Sequence, residues 1–182
     1  MRSNFIVLGC VLAGLYVWYY YGQFNTPDDR IDIQANLSEW LSRGSSSVEL
    51  KVADFIRLDD SDAYIALFQL ENGGIGYAQL SKGWNGRYKI ERSGHGSNLV
   101  SYEKIETNKG VYGLIVGKNP AGRLASIKAQ LYYSDFAFTS DVSEEYMFVK
   151  YKKVPKDTVA FPADLFFYDQ NGKSIDYGEL ES

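Results

Sequence analysis

His95 is the only histidine of the chain and the first residue to consider for catalysis. It lies in Ser93-Gly94-His95-Gly96-Ser97-Asn98, which we interpret as a glycine-rich loop that could expose the imidazole beside hydroxyl groups. A Ser-His-Asp or Cys-His site would have to use His95, because the single cysteine, Cys10, falls inside an apolar segment. The sequence contains no Gly-x-Ser-x-Gly nucleophile elbow, so His95 is a catalytic candidate without a recognisable partner.

Acidic residues offer two further kinds of chemistry. Asp59, Asp60 and Asp62 could present three carboxylates to a calcium ion, whereas one histidine and no cysteine outside the apolar segment do not suit zinc. Asp169-Gln170-Asn171-Gly172 begins like a calcium loop but fits a hairpin turn better, because later ligand positions lack the required glycine and glutamate. A carboxylate pair could hydrolyse glycosides, yet 23 acidic residues do not single out a pair. We expect no cofactor.

Aromatic residues are the candidates for binding. The chain has 15 Tyr, 10 Phe and 3 Trp, and such rings bring a large contact area to a sugar or a protein at low entropic cost. Trp84 falls in the turn Lys82-Gly83-Trp84-Asn85-Gly86, where we expect it to be partly exposed. Trp40 is the second candidate contact, although packing onto the domain is the simpler expectation for it.

The N-terminal segment Phe5 to Tyr21 has no charge, proline or amide side chain. As a helix it would rise about 26 Å, and Gly22 to Phe24 would extend it to about 30 Å, the thickness of one hydrocarbon core. The rings of Trp18 to Tyr21 cluster at one end, as at a membrane–water boundary. This pattern predicts a single membrane span over residues 5–21.

Two alternatives compete with an uncleaved anchor. A lipoprotein signal would place a lipid on Cys10, and a cleaved signal peptide would use Val11-Leu12-Ala13 as its processing site. Both leave part of the apolar run unexplained. Arg2 precedes the segment and acidic residues follow it, which favours a cytoplasmic N-terminus and an exported C-terminal domain.

The charge balance excludes some partners. Residues 1–22 contain one Arg and no acidic residue. The remaining chain therefore has 18 basic and 23 acidic residues, a net charge of −5. A negative domain lacks the basic stripe that nucleic acid requires. No disulfide can form in a domain without cysteine, which in an exported protein is typical of a bacterial cell envelope.

The spacing of apolar residues differs between two parts of the remaining chain, residues 23–47 and residues 48–182. Residues 23–47 are predicted to be a linker with a short amphipathic helix that begins near Asp32 and presents Ile33, Leu37, Trp40 and Leu41 on one face. In residues 48–182 apolar and polar residues alternate with a period of two, and Asn-Gly and related turn sequences separate the alternating runs. About ten short strands therefore predict an antiparallel β-sandwich or barrel.

Three segments carry a resemblance to a known group: Lys82 to Ile90, Thr107 to Gly110 and Ile115 to Asn119. They resemble a pattern in small exported proteins of Gram-positive bacilli, over roughly residues 55 to 120. The resemblance implies an N-terminal membrane segment and a single β-rich outer domain, and it carries over no catalytic residue.

We therefore expect a single-pass membrane protein whose extracytoplasmic domain binds a protein partner or a cell-wall glycan without catalysis. An envelope hydrolase using His95 or a carboxylate pair is the alternative from another class. A third possibility is an accessory subunit of a membrane complex.

Overall fold

The computed structural model describes residues 2–44 and 47–180, with side chains from residue 7 onward. Its helices are α1 (Arg2–Gln23), α2 (Arg30–Ser42) and α3 (Tyr177–Leu180). Its strands are β1 (Leu50–Arg57), β2 (Ala63–Leu70), β3 (Ile75–Lys82), β4 (Tyr88–Gly96), β5 (Val100–Thr107), β6 (Gly110–Lys118), β7 (Ser126–Leu131), β8 (Ala137–Asp141), β9 (Met147–Lys153), β10 (Ala163–Tyr168) and β11 (Ser174–Ile175).

The strands form three antiparallel sheets, which confirms the predicted mainly-β class. Sheet A has the order β1-β2-β3-β4, sheet B the order β5-β6-β9, and sheet C the order β11-β10-β7-β8. The sheets pack face to face, as in a sandwich, but the stack has three sheets instead of two. One buried cluster joins sheets A and B, and another joins sheets B and C.

Strands that are covered on both faces have continuous apolar sequences. The β2 residues Ala63 to Leu70 (AYIALFQL) lie between helix α2 on one face and sheet B on the other. The β6 residues Tyr112 to Gly117 are all buried, because β6 is the middle strand of the middle sheet. Burial on two faces removes the polar alternation that a one-sided strand shows.

Helix α2 belongs to the core of the β domain. Ile33 and Leu37 are buried against sheet A, and Trp40 and Leu41 pack beside them, so the predicted apolar face is confirmed. The predicted start near Asp32 is wrong. Asp29 is the N-cap, because its Oδ1 accepts hydrogen bonds from the backbone N–H groups of Ile31 (2.8 Å) and Asp32 (3.4 Å).

All five turns predicted from asparagine and glycine join strands. The glycines of these turns (Gly73, Gly86, Gly110, Gly122 and Gly172) have positive φ. Four of the turns close hairpins, namely β2–β3, β3–β4, β5–β6 and β10–β11, and the turn at Gly122 lies between β6 and β7. The acidic segment at Asp169 is thus a hairpin turn, as predicted, with the Asp169 carboxylate accepting from Asn171 and Lys173 N–H groups at 2.8 Å.

Helix α1 is exposed over most of its length. Every residue from 7 to 19 is exposed, and nine of these thirteen are large apolar or aromatic side chains. Among the residues whose side chains the structure describes, 7–44 and 47–180, no helix has the length and apolar character needed to cross a membrane. The membrane segment predicted for residues 1–22 stays a prediction.

Candidate functional site

The C-terminal end of α1 is attached to the β3–β4 turn through aromatic rings. Tyr20 stacks on Trp84 with ring centroids 4.7 Å apart, and on Phe24 at 4.5 Å. Tyr21 meets Trp84 edge-on at 5.6 Å. We call residues 20–28 together with the turn 83–87 the junction. Trp84, predicted to be partly exposed, is 63% exposed despite these contacts.

Hydrogen bonds fix the junction along its length. The backbone N–H of Trp84 donates to the Tyr20 hydroxyl at 2.7 Å, and the Asn85 side-chain amide donates to the Phe24 carbonyl at 3.0 Å. Thr26 then pairs with Tyr88 like a short additional strand beside β4. The start of the predicted linker is therefore bonded to sheet A.

Gly83 makes this close approach possible. A Cβ atom at this position would lie 2.7 Å from Cδ1 of Phe24 and even closer to the Tyr20 hydroxyl. Real Cβ atoms do not approach other heavy atoms so closely, so a larger residue at position 83 would displace the side chains of Tyr20 and Phe24 from the turn.

An ion pair completes the junction. The Asp28 carboxylate accepts from Lys82 Nζ at 2.5 Å and from the Tyr88 hydroxyl at 3.0 Å. The bond from Lys82 holds the pKa of Asp28 below its ordinary value against the opposing effect of burial, and the same bond raises the pKa of Lys82. Burial raises the pKa of Tyr88 to about 12, and Asp28 adds to the shift.

Trp40, the other candidate contact, has a structural role. It is half-buried against the cluster of α2 and sheet A, and the Arg43 guanidinium lies 4.7 Å from its ring centroid. The alternative expectation that Trp40 packs onto the domain is confirmed.

A polar groove with a volume of about 590 Å³ lies between sheets A and B. It is lined by charged, amide and hydroxyl side chains, namely Asp62, Gln79, Ser81, Glu91, Arg92, Lys104, Glu106, Thr107 and Asn108, together with Ala63. The groove therefore offers both hydrogen-bond donors and hydrogen-bond acceptors, which a polyhydroxylated or charged ligand needs.

Both glutamates of the groove form ion pairs with a neighbouring lysine. Lys104 Nζ lies 2.7 Å from Glu106, and this bond lowers the pKa of Glu106. Glu91 accepts from the Ser81 hydroxyl at 2.6 Å and pairs with Lys89 at 2.9 Å. A general acid for glycoside hydrolysis needs a raised pKa, so the lowered pKa of Glu106 does not suit that role.

His95 lies in β4, where it pairs with Gly76, so the prediction of a loop at residues 93–96 is wrong. Its side chain is exposed at the rim of a depression of about 180 Å³ that Glu103 also lines. Glu103 accepts from the Tyr77 hydroxyl at 3.0 Å, and in the part of the chain that the structure describes no acid is hydrogen-bonded to the imidazole. The structure does not assemble a His-acid pair here.

The three calcium candidates point to different partners. Asp59 accepts from the Tyr151 hydroxyl at 3.3 Å, Asp60 lies 3.8 Å from Lys109, and the backbone N–H of Asp62 donates to Asn108. Among the described residues, no group of three or more His, Cys, Asp or Glu side chains is arranged to hold a metal ion.

The β7–β8 turn carries an exposed aromatic cluster that period-two patterns did not indicate. Tyr132 and Tyr133 are 63% and 66% exposed, and their rings lie edge-on with centroids 4.9 Å apart. The Tyr132 backbone N–H donates to the Pro162 carbonyl at 3.0 Å, which brings exposed Phe161 close by. Ser134-Asp135, which follow directly, are the turn signal that could have revealed this cluster.

Comparison of the chain with known protein families, with curated proteins and with solved structures gives no match. Its function must be inferred from its own residues.

Proposed function

We propose that this chain is a single-pass membrane protein whose β domain lies outside the cytoplasm and binds a cell-wall glycan without catalysis. The observation that carries the membrane half is the exposed apolar surface of α1. From Val7 to Tyr19 its side chains are exposed on all sides of the helix. Leaving this surface in water is costly, at about 25 cal/mol for each Å² of apolar area, and lipid removes that cost.

The ends of α1 support the same placement. The helix has 22 residues and rises about 33 Å, close to the hydrocarbon thickness of a bilayer. Its C-terminal rings, Trp18 to Tyr21, are of the type that concentrates at a membrane–water interface. Polar contacts with the β domain begin at the Tyr20 hydroxyl and continue at Phe24 and Asn25.

The polar groove supports the binding half. Its arginine, lysine and amide donors and its carboxylate and hydroxyl acceptors suit the hydroxyl, amide and charged groups of a wall glycan. The absence of a His-acid pair and the ionised state of Glu106 make catalysis by the described residues the weaker alternative.

The membrane half is tested in intact cells. The full-length chain should stay in the membrane fraction after washing with alkaline carbonate, and external protease should remove the β domain from spheroplasts. Recovery in the cytosolic fraction, protected from protease, would overturn it. If the chain is recovered from the membrane fraction in a complex whose other proteins cover α1, an accessory subunit of a membrane complex is the better interpretation.

The binding half is tested with full-length chain in detergent micelles and soluble wall fragments. The pair Glu91→Ala with Lys104→Ala should weaken binding tenfold or more, because both side chains line the groove and each supplies charged hydrogen bonds. Glu144→Ala with Lys156→Ala is the matched control, since both residues are exposed outside the groove and the net charge is equally unchanged. No binding, or equal weakening by both pairs, would contradict the groove as the site.

A further inference from the structure

We propose that the β3–β4 turn is a second membrane contact, with the Trp84 ring lying in the lipid headgroup region beside Tyr20 and Tyr21. This inference rests on the proposed placement of α1 in a bilayer. It concerns a residue about 60 positions along the chain from the helix, in the outer domain.

The depth of Trp84 follows from that of Tyr20. The two rings stack with centroids 4.7 Å apart, so their depths in a membrane can differ by no more than this distance. The interfacial zone on each side of the hydrocarbon core is about 5–8 Å thick. If Tyr20 lies at the boundary where the apolar run ends, Trp84 lies in the same zone.

The contact is rigid because the junction is bonded at several points. The Tyr20 hydroxyl, the Phe24 carbonyl and the Asn25 carbonyl each accept a hydrogen bond from the turn, from Trp84 N–H, Asn85 and Arg87. Gly83 lets the helix end and the turn approach closely. The turn therefore cannot swing away from α1 as it would on a flexible tether.

Burial of the Trp84 ring in the headgroup region, and not attraction between charges, stabilises the proposed membrane contact. Lys82 and Lys89 flank the turn, but Asp28 lies 2.5 Å from the first and Glu91 lies 2.9 Å from the second. Trp84 keeps 63% of its surface exposed, and an indole presents both an apolar ring and an N–H group, which suits the headgroup region. The contact should therefore form with phosphatidylcholine, a zwitterionic lipid without net charge.

The experiment places one tryptophan at a time in the full-length chain, reconstituted in phosphatidylcholine vesicles with bromine on shallow or deep acyl carbons. Trp18→Phe with Trp40→Phe leaves Trp84 as the reporter. We expect loss of about half or more of its fluorescence with shallow bromines, and less with deep ones, because an interfacial ring contacts the upper acyl chain.

The matched control carries Trp84→Phe as well, with Glu71→Trp as the new reporter. Glu71 follows β2 at the opposite end of β3, about 26 Å from the β3–β4 turn, so its reporter should not be quenched. If the double substitution does not fold, comparing the native chain with Trp84→Phe alone gives the same information, since quenching should fall on removal of Trp84.

The outcomes separate the two proposals. A chain that resists carbonate extraction but shows no quenching of Trp84 overturns this inference and leaves the membrane anchor intact. Equal quenching of the position 71 reporter also overturns it. A chain that does not enter the vesicles at all contradicts the proposed function itself.

Discussion

Two tyrosine hydroxyls inside sheet B differ in whether a partner reaches them. Tyr102 is buried and donates to the Ala160 carbonyl at 3.0 Å. Tyr112 is also buried, but its hydroxyl makes no hydrogen bond of normal geometry among the residues that the structure describes, although the nearby Asp59 carboxylate helps to raise its pKa. A buried polar group without a partner loses its hydration and regains nothing, at a cost of about 1–3 kcal/mol.

Tyr112→Phe should therefore be neutral or stabilising, by up to about 1 kcal/mol in the free energy of unfolding. Tyr102→Phe is the matched comparison and should cost about 1–2 kcal/mol, because it removes a bond and leaves the Ala160 carbonyl unpaired. Denaturant unfolding of both variants measures the difference. A larger loss for Tyr112→Phe than for Tyr102→Phe would contradict this assignment.

At the residue scale the sequence predicts exposure better than it predicts neighbours. The turn around Trp84 correctly indicated an exposed ring, because Asn85-Gly86 marks a hairpin tip. Its contacts with Tyr20 and Tyr21 come from 63 to 64 positions away, and no local pattern encodes them. For the same reason the groove between sheets A and B could not be assembled from the sequence.

At the scale of elements, α2 connects the N-terminal segment to the core. Leu37 is fully buried between the helix and sheet A, whereas Ile31 on the same helix is 80% exposed. Gln34 also reaches sheet A, where its Oε1 accepts from the Val52 N–H at 3.0 Å. The helix therefore stabilises the domain through one face only.

Leu37→Ala should cost about 2–5 kcal/mol of stability, through lost burial and the cavity that remains. Ile31→Ala, on the exposed face, should change stability by no more than about 0.5 kcal/mol. Unfolding in denaturant, followed by circular dichroism, checks both. Equal effects would mean that α2 is not part of the cooperative unit.

The sequence predicts elements well where the pattern is local. The turns and the apolar face of α2 depend on neighbouring residues, and both were predicted. Strands β5 and β8 lack a clear apolar alternation, because Val100–Thr107 carries three charged residues and Ala137–Asp141 is short and polar. Their pairing with β6 and β7, and not their own propensity, makes them strands.

At the scale of the whole molecule, stability should depend on alkaline pH. Burial raises the pKa of Tyr88, Tyr102 and Tyr112 to about 12, and burial together with Glu103 raises that of Tyr77 further. An unfolded tyrosine loses its proton near pH 10. Between these values the unfolded chain binds fewer protons than the folded chain, so stability falls as the pH rises.

Thermal unfolding should therefore show a melting temperature that drops progressively above pH 10. Each affected tyrosine contributes a slope of about 1.4 kcal/mol per pH unit between its unfolded and folded pKa. Tyr102→Phe removes one such group, so its melting temperature should fall less steeply over the same range. An unchanged slope in this variant would contradict the origin proposed for the loss.

The sequence predicts the antiparallel β class of the whole molecule but not its arrangement in three sheets. An antiparallel β class follows from period-two patterns and tight turns, and the structure has it. A third sheet requires β9 to pair with β6 and β10 with β7, and these pairings join strands that are distant in sequence. Hydrophobic patterns give the faces of strands but not their order across such gaps.

The strand order sets a sequence of assembly during synthesis. Sheet A consists of four consecutive strands, and with α2 it is complete once residue 96 has emerged. Sheet B must wait for β9, and sheet C for β10 and β11. Because neighbouring contacts close with little loss of chain entropy, the N-terminal half should fold first and serve as a template for the rest. The region that folds first thus lies directly after helix α1, and the later strands are added to it as they are synthesised.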